Sequence, residues 1–148
     1  MRSHTPQNRD GKVVAGIDGS PESIEALRWA GEYAFVANKE LELVIAWVWY
    51  RGSGSYGSIF DTFNPESDAK NVVESALAQL RSEWPYLTVT GRTVEGNPSP
   101  VLVEASKSAS TLVVGSRGHG EFAGMLLGSV SQYCATHAHC PVVVHRAR

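Results

Sequence analysis

Cysteine is scarce. The 148 residues hold two, Cys134 and Cys140, six positions apart. A disulfide framework needs more than one such pair, and zinc sites usually show a C-x-x-C step or histidines at ligand spacing. His137 and His139 fall between the two, so a zinc site is conceivable, but two thiols in a reduced core is the better reading. No run reaches the about 18 apolar residues of a membrane span. The polar opening MRSHTPQNRD lacks the apolar core of a secretory leader. Charge excess is missing as well: 13 Lys and Arg against 15 Asp and Glu leave −2. That balance offers nucleic acid no basic surface, and no acidic block suggests a tail. Internal repeats and low-complexity tracts are absent. These lacks predict a cytoplasmic protein with neither membrane nor nucleic acid as a partner.

What is present is enough for one ordinary domain. The chain is 43% hydrophobic and 19% charged, the balance of a globular fold with a sizeable core. Residues 1–11 read as a flexible arm and 12–148 as the domain. KVVAGID (12–18) is a short β-branched run, typical of a buried parallel strand. Ser20 and Pro21 then form a cap and a first helical residue. A helix over about 21–37 follows, with Ile24, Leu27, Ala30, Tyr33 and Ala34 on its inner face. LELVIAWVWY (41–50) is a second strand. A second helix after Pro65 places Val73, Ala76, Leu77, Leu80 and Trp84 on one face, and Pro85 ends it. YLTVTGRTV (86–94) is a third strand, with an irregularity expected at Gly91. A third helix starts at Asn97-Pro98 or Ser99-Pro100 and runs to about Lys107. TLVVGS (111–116) is a fourth strand. A fourth helix follows within 123–138, with Leu126, Val130, Tyr133, Cys134 and His137 on one face. PVVVHR (141–146) is a fifth strand. Regular alternation implies a parallel α/β sheet with helices on both faces, whose ligands bind beyond the carboxyl ends of the strands.

Two glycine-bearing stretches compete for that position. GSGSYG (52–57) matches G-x-G-x-x-G letter for letter. A dinucleotide fingerprint must open a helix at once, so that the helix N-terminus holds the phosphates. Here the chain continues SIFDTFNP, which leaves no room for a helix. The loop reads as a lid or an exposed connection, with Tyr56, Phe60 and Phe63 available to cover a ligand. GSRGHGEFAGMLLGSVS (115–131) has the context the first lacks. It starts where a strand ends and leads into a helix. Gly115, Gly118 and Gly120 permit a turn that aims backbone N–H groups inward. Ser129 and Ser131 offer hydroxyls, the backbone of Ser129 and Val130 offers further donors, and Arg117 and His119 offer charge or donors. No Gly-Lys-Ser/Thr occurs, so this is not a Walker A loop.

Gly115-x-x-Gly118, nine residues and then Gly128-Ser129 resembles the G-2x-G-9x-G-[ST] signature of ATP-binding universal stress proteins. Val130-Ser131, the run Cys140-Pro141-Val142-Val143-Val144 and the opening VVAGIDGS (13–20) are similar to that family too. The resemblance covers residues 12–146. It implies a single Rossmann-like, adenine-nucleotide-α-hydrolase-like domain: a five-stranded parallel sheet in the order 3-2-1-4-5. It also implies a homodimer through the last, C-terminal edge strand, whose exposed apolar edge needs covering. The ligand implied is ATP, with Mg²⁺ held through its phosphates. By that resemblance Asp18 contacts the adenine or ribose end and Gly16 lets the nucleotide approach. The backbone near Trp47 reads the adenine edge. Gly115, Ser116, Arg117, Gly118, His119, Gly128, Ser129, Val130 and Ser131 cradle ribose and phosphates. Trp47 departs from the small aliphatic residue common in the family. Trp47 and Trp49 share a strand face and either stack on adenine or, as favoured here, pack on a helix.

Bland readings stand beside these. Asp18 can simply form the turn, Ser20 is a cap before it is a ligand, and His119 is as well read as a solvated loop residue. His4, His137, His139 and His145 read as structural or exposed. No G-x-S-x-G elbow or H-E-x-x-H site occurs. The expectation is an ATP-binding regulator or sensor in a stress response, acting on an unidentified protein partner, and not an enzyme beyond weak ATP hydrolysis. The alternatives are a scaffold of the same fold that no longer binds ATP, and a slow adenine-nucleotide hydrolase.

Overall fold

The computed structural model describes residues 11–49, 64–117 and 127–147. The N-terminal arm, the GSGSYG loop with its aromatic residues, and Gly118, His119, Gly120 and Leu126 lie outside the described residues. The elements alternate as β1 (Lys12–Ile17), α1 (Pro21–Ala37), β2 (Leu41–Trp47), α2 (Pro65–Glu83), β3 (Val89–Glu95), α3 (Pro98–Ser106), β4 (Ala109–Gly115), α4 (Ser129–His137) and β5 (Val142–His145). All strand pairs are parallel, in the order β3-β2-β1-β4-β5. The α/β architecture and strand order are those the sequence led us to expect.

Local chemistry sets the helix limits. The Ser20 hydroxyl accepts the Ser23 N–H at 3.2 Å, with Pro21 at the first helical position. Asn38 closes α1 in the left-handed region at φ 56, its N–H reaching the Ala34 and Phe35 carbonyls. Asn64 caps α2 by accepting the Ser67 N–H at 3.0 Å, and Trp84, just before Pro85, ends it. The strands differ from expectation at their ends. β2 stops at Trp47, with Val48 and Trp49 outside the strand. β3 begins at Val89 because Leu87 N–H turns back to the Trp84 carbonyl. Gly91 carries no irregularity: it pairs in register with Leu43, and its missing side chain makes room for Val73 of α2.

The sheet separates two cores. On one face, Val13, Ala15, Ile17, Leu43 and Ile45 pack against Leu27, Ala30 and Ala34 of α1 and Val73, Ala76 and Leu80 of α2. On the other, Val14, Val44, Leu112 and Val114 pack against Leu102 and Ala105 of α3 and Cys134 of α4. The face expected for α4 is narrower than the spacing suggested. Cys134 is buried and Val130 half-buried. Tyr133 and His137 stand in solvent, stacked on each other at 4.1 Å. A nine-residue helix lying over a sheet edge buries only a thin stripe. Burial pushes the Cys134 thiol up to about 11, with Cys140 adding to the shift. Both cysteines are free thiols.

Candidate functional site

The carboxyl ends of β1 and β4 lie side by side. From β1 the chain turns through α1 on one face, while β4 is reached through α3 on the other. Such a switch point opens a crevice. Here it is a cavity of about 80 Å³. Its apolar part is formed by Gly16, Val44, Ala46, Pro98, Leu102 and Val114. Its polar end is formed by Asp18, Ser23, Gly115, Arg117, Gly128 and Ser131, with Ile17 and Val130 completing the wall.

Asp18 is both turn-former and cavity wall. Its Oδ1 accepts the Ser20 N–H at 2.9 Å, and its own N–H donates to the Ser23 hydroxyl at 3.3 Å. This Asx-type turn fixes the carboxylate at the end of β1. Ser20, buried and committed to capping α1, does not line the cavity.

Three residues join β4, β5 and α4. Ser116 donates its N–H to the His145 carbonyl at 2.8 Å. Its own carbonyl accepts the Gly128 N–H at 2.6 Å and the Ser131 hydroxyl at 3.0 Å. The Ser131 hydroxyl also reaches the Gly128 carbonyl at 2.9 Å. A hydroxyl has one proton, so in this arrangement it is spent on carbonyls and not on a phosphate. Ser116 and Ser131 therefore build the start of α4. Ser129, its first residue, is exposed at the rim.

The N-terminus of α4 has Gly128 as its cap residue and no side-chain cap. The first N–H groups of a helix have no partner within it, and their dipoles favour an anion. The contrast with α3, whose N-terminus also borders the cavity through Pro98, is chemical. Pro98 and Pro100 occupy two of its first three positions and carry no N–H. Donors are thus concentrated at α4, and apolar wall at α3.

Of the residues expected at the site, Gly16, Asp18, Gly115, Arg117, Gly128, Val130 and Ser131 meet at the cavity. Trp47 does not. Strand alternation turns its indole to the other face, against the first core and edge-on to Trp49 at 5.9 Å. Its carbonyl accepts the Gly96 N–H at 2.8 Å. Trp49, past the end of β2, is exposed rather than core. Val44, Ala46, Pro98 and Leu102 were missed. Alternation from Trp47 would have placed Ala46 and Val44 on the cavity side; nothing in the sequence signals Leu102. Among the described residues no group of three or more His, Cys, Asp or Glu gathers that could hold a metal. None of the described helices is long and apolar enough to cross a membrane.

Comparison with known proteins agrees with this fold. Residues 11–146 match the model of the universal stress protein family. A universal stress protein of Mycobacterium tuberculosis is 34% identical over 141 residues, covering 95% of this chain and 47% of the relative. The chain thus spans about half the length of the curated relatives it matches. Among solved structures, the universal stress protein UspA of Lactobacillus plantarum superposes with a TM-score of 0.77 at 16% identity. That match covers 93% of this chain and 99% of the other. A universal stress protein in complex with cAMP superposes with a TM-score of 0.70 at 27% identity, covering 93% of this chain and 98% of the other.

Proposed function

Since the chain belongs to the universal stress protein family, we propose that it binds an adenine nucleotide in the β1–β4 crevice and acts as a nucleotide-dependent regulator or sensor in a stress response. The observation that carries this is the pairing of two chemistries in one cavity: an apolar slot between β2 and α3, and the uncapped N-terminus of α4 beside Arg117. The slot suits a base. The N–H groups of Ser129, Val130 and Ser131, with Arg117, suit phosphate oxygens. Asp18, on the same cavity wall, is the residue proposed to meet the ribose. The similar protein solved with cAMP supports an adenine ligand. ATP is the ligand proposed, with Mg²⁺ held by its phosphates, Asp18 being the only carboxylate on the described cavity wall. Gly118, His119 and Gly120 belong to the proposal through their place in the glycine signature.

The test is calorimetric titration of ATP, AMP and cAMP, with and without Mg²⁺, into the wild type and Gly128→Ala. Micromolar binding that weakens about 10- to 150-fold in the variant is expected, the size of one or two lost charge-assisted hydrogen bonds, roughly 1.5–3 kcal/mol. Undiminished affinity in a folded Gly128→Ala protein would overturn the site. Absence of all binding would replace the sensor with a scaffold. Release of ADP or AMP at a rate that accounts for turnover would make it an enzyme.

A further inference from the structure

We propose that the outer side of α1 carries a second binding site, one that takes the guanidinium group of an arginine within the chain of a partner protein. A groove of about 460 Å³ lies there, bordered by Trp84 at the end of α2 and by His145 at the end of β5. None of the residues lining it lines the β1–β4 cavity, so the site stands apart from the nucleotide reading. Glu25, Trp29 and Glu32 follow one another along α1 at steps of four and three, which places them on one stripe of the helix. Both carboxylates are exposed and the indole between them is half-buried. Tyr33 holds that indole, its ring stacked on it at 5.3 Å and 6°. The second indole, Trp84, comes from α2. Gly31 has no side chain to keep it away: a Cβ there would lie 3.4 Å from Trp84 Nε1.

Both bordering residues hold a buried nitrogen without a partner. Neither Trp84 Nε1 nor His145 Nδ1 makes a hydrogen bond among the described residues. The carbonyls of α1 beside Gly31 are bonded within the helix. Buried polar atoms normally pair, and one left unpaired weakens the fold. The charges select a cation. Three glutamates line the groove, Glu25, Glu32 and Glu83, against one arginine, Arg28. Among the described residues Glu83 is paired with Arg28 at 3.2 Å, which leaves Glu25 and Glu32 without an ion pair. A guanidinium suits these surroundings better than an ammonium, because it is planar, stacks on indole rings and forks to a carboxylate. It has no acceptor for the Trp84 N–H. A neutral peptide carbonyl beside it does, whereas the carboxylate of free arginine would be repelled by the glutamates. An arginine inside a polypeptide supplies both the cation and the acceptor.

The test follows the indole N–H signals of the isotope-labelled full chain by NMR, with Trp84→Phe to assign the Trp84 signal. The probe is N-acetylarginine methylamide. It is compared with N-acetylcitrulline methylamide, which keeps the shape and loses the charge, and with n-propylguanidine, which keeps the charge and loses the carbonyls. The arginine probe is expected to move the Trp84 signal with millimolar affinity. Each comparison compound should bind about fivefold or more weakly, the order of one exposed ion pair or one hydrogen bond. Glu25→Gln combined with Glu32→Gln, both on the exposed side of α1, should keep the fold in thermal unfolding and weaken the arginine probe about tenfold. An unmoved Trp84 signal, citrulline binding as tightly as arginine, or undiminished affinity in the folded double variant would overturn the site. n-Propylguanidine binding as tightly as the arginine probe would overturn the polypeptide occupant in favour of a free small cation.

Discussion

Gly91 stands in the middle of β3, where a Cβ would lie 2.5 Å from Cγ1 of Val73 and 3.2 Å from Cγ of Leu43. Val73 is β-branched and cannot swing clear within its helix. Gly91→Ala is therefore expected to destabilise the fold by about 1–3 kcal/mol, read as a lower midpoint of urea unfolding without loss of nucleotide affinity. Glu42 is a second residue whose surroundings decide its behaviour. It is a buried carboxylate on β2 that accepts from Lys12 at 2.9 Å and Arg92 at 3.1 Å, tying together β1, β2 and β3. Burial alone would push its carboxyl up; the bonds and charges of Lys12 and Arg92 outweigh that and hold it below the ordinary 4.5. A folded-state value below the unfolded one contributes stability at neutral pH that is lost as pH falls through the folded value. Glu42→Gln should cost on the order of 1 kcal/mol at pH 7, given two partly exposed partners. Denaturation at stepped pH should show wild type and variant converging below 4.5.

At the scale of elements, helix starts divide the labour. α1 is closed by its own Ser20 and α2 by Asn64. α4 has no side-chain cap and begins at the cavity. Ser20→Ala should cost about 1 kcal/mol of thermal stability and leave nucleotide affinity within about twofold. Ser131→Ala tests the other role. Removing the hydroxyl that joins Ser116 to Gly128 loosens the start of α4, and affinity should fall along with stability. A variant that lost affinity at unchanged stability would instead return the Ser131 hydroxyl to direct contact with phosphate. Capping was legible in the sequence because it is a matter of three or four neighbouring residues. The bond from Ser116 to Ser131 was not, because it spans 15 positions and depends on where β4 delivers a carbonyl.

At the scale of the whole molecule, β5 is a four-residue edge strand whose residues are all half-buried. Pro141 and His145 turn their carbonyls to Leu112 of β4 and to Ser116 just past its end, so strand alternation points the backbone of Val142 and Val144 outward. An open edge with apolar side chains is a pairing surface. The proposed partner is a second copy of this chain. Val144→Pro removes an outward donor without touching the β4 ladder. Light scattering should find the wild type dimeric and this variant monomeric but folded; a monomeric wild type would overturn the pairing.

The sequence by itself determined the alternation of strands and helices, the cap of α1 at Ser20 and the start of α4 just after Gly128. Each of these is encoded locally, in periodicity, in capping residues or in spacing within one segment. Tertiary structure alone decided which side chains meet. It turned Trp47 away from the cavity and Ala46 toward it. It spent the Ser131 hydroxyl on Ser116 and laid Leu102 over Gly16, 86 positions away in the chain. The physical reason is that strand order and helix docking set those neighbours. Packing across a sheet is written in the complementarity of distant residues, Leu102 and Gly16 or Val73 and Gly91, and no single stretch of chain carries it.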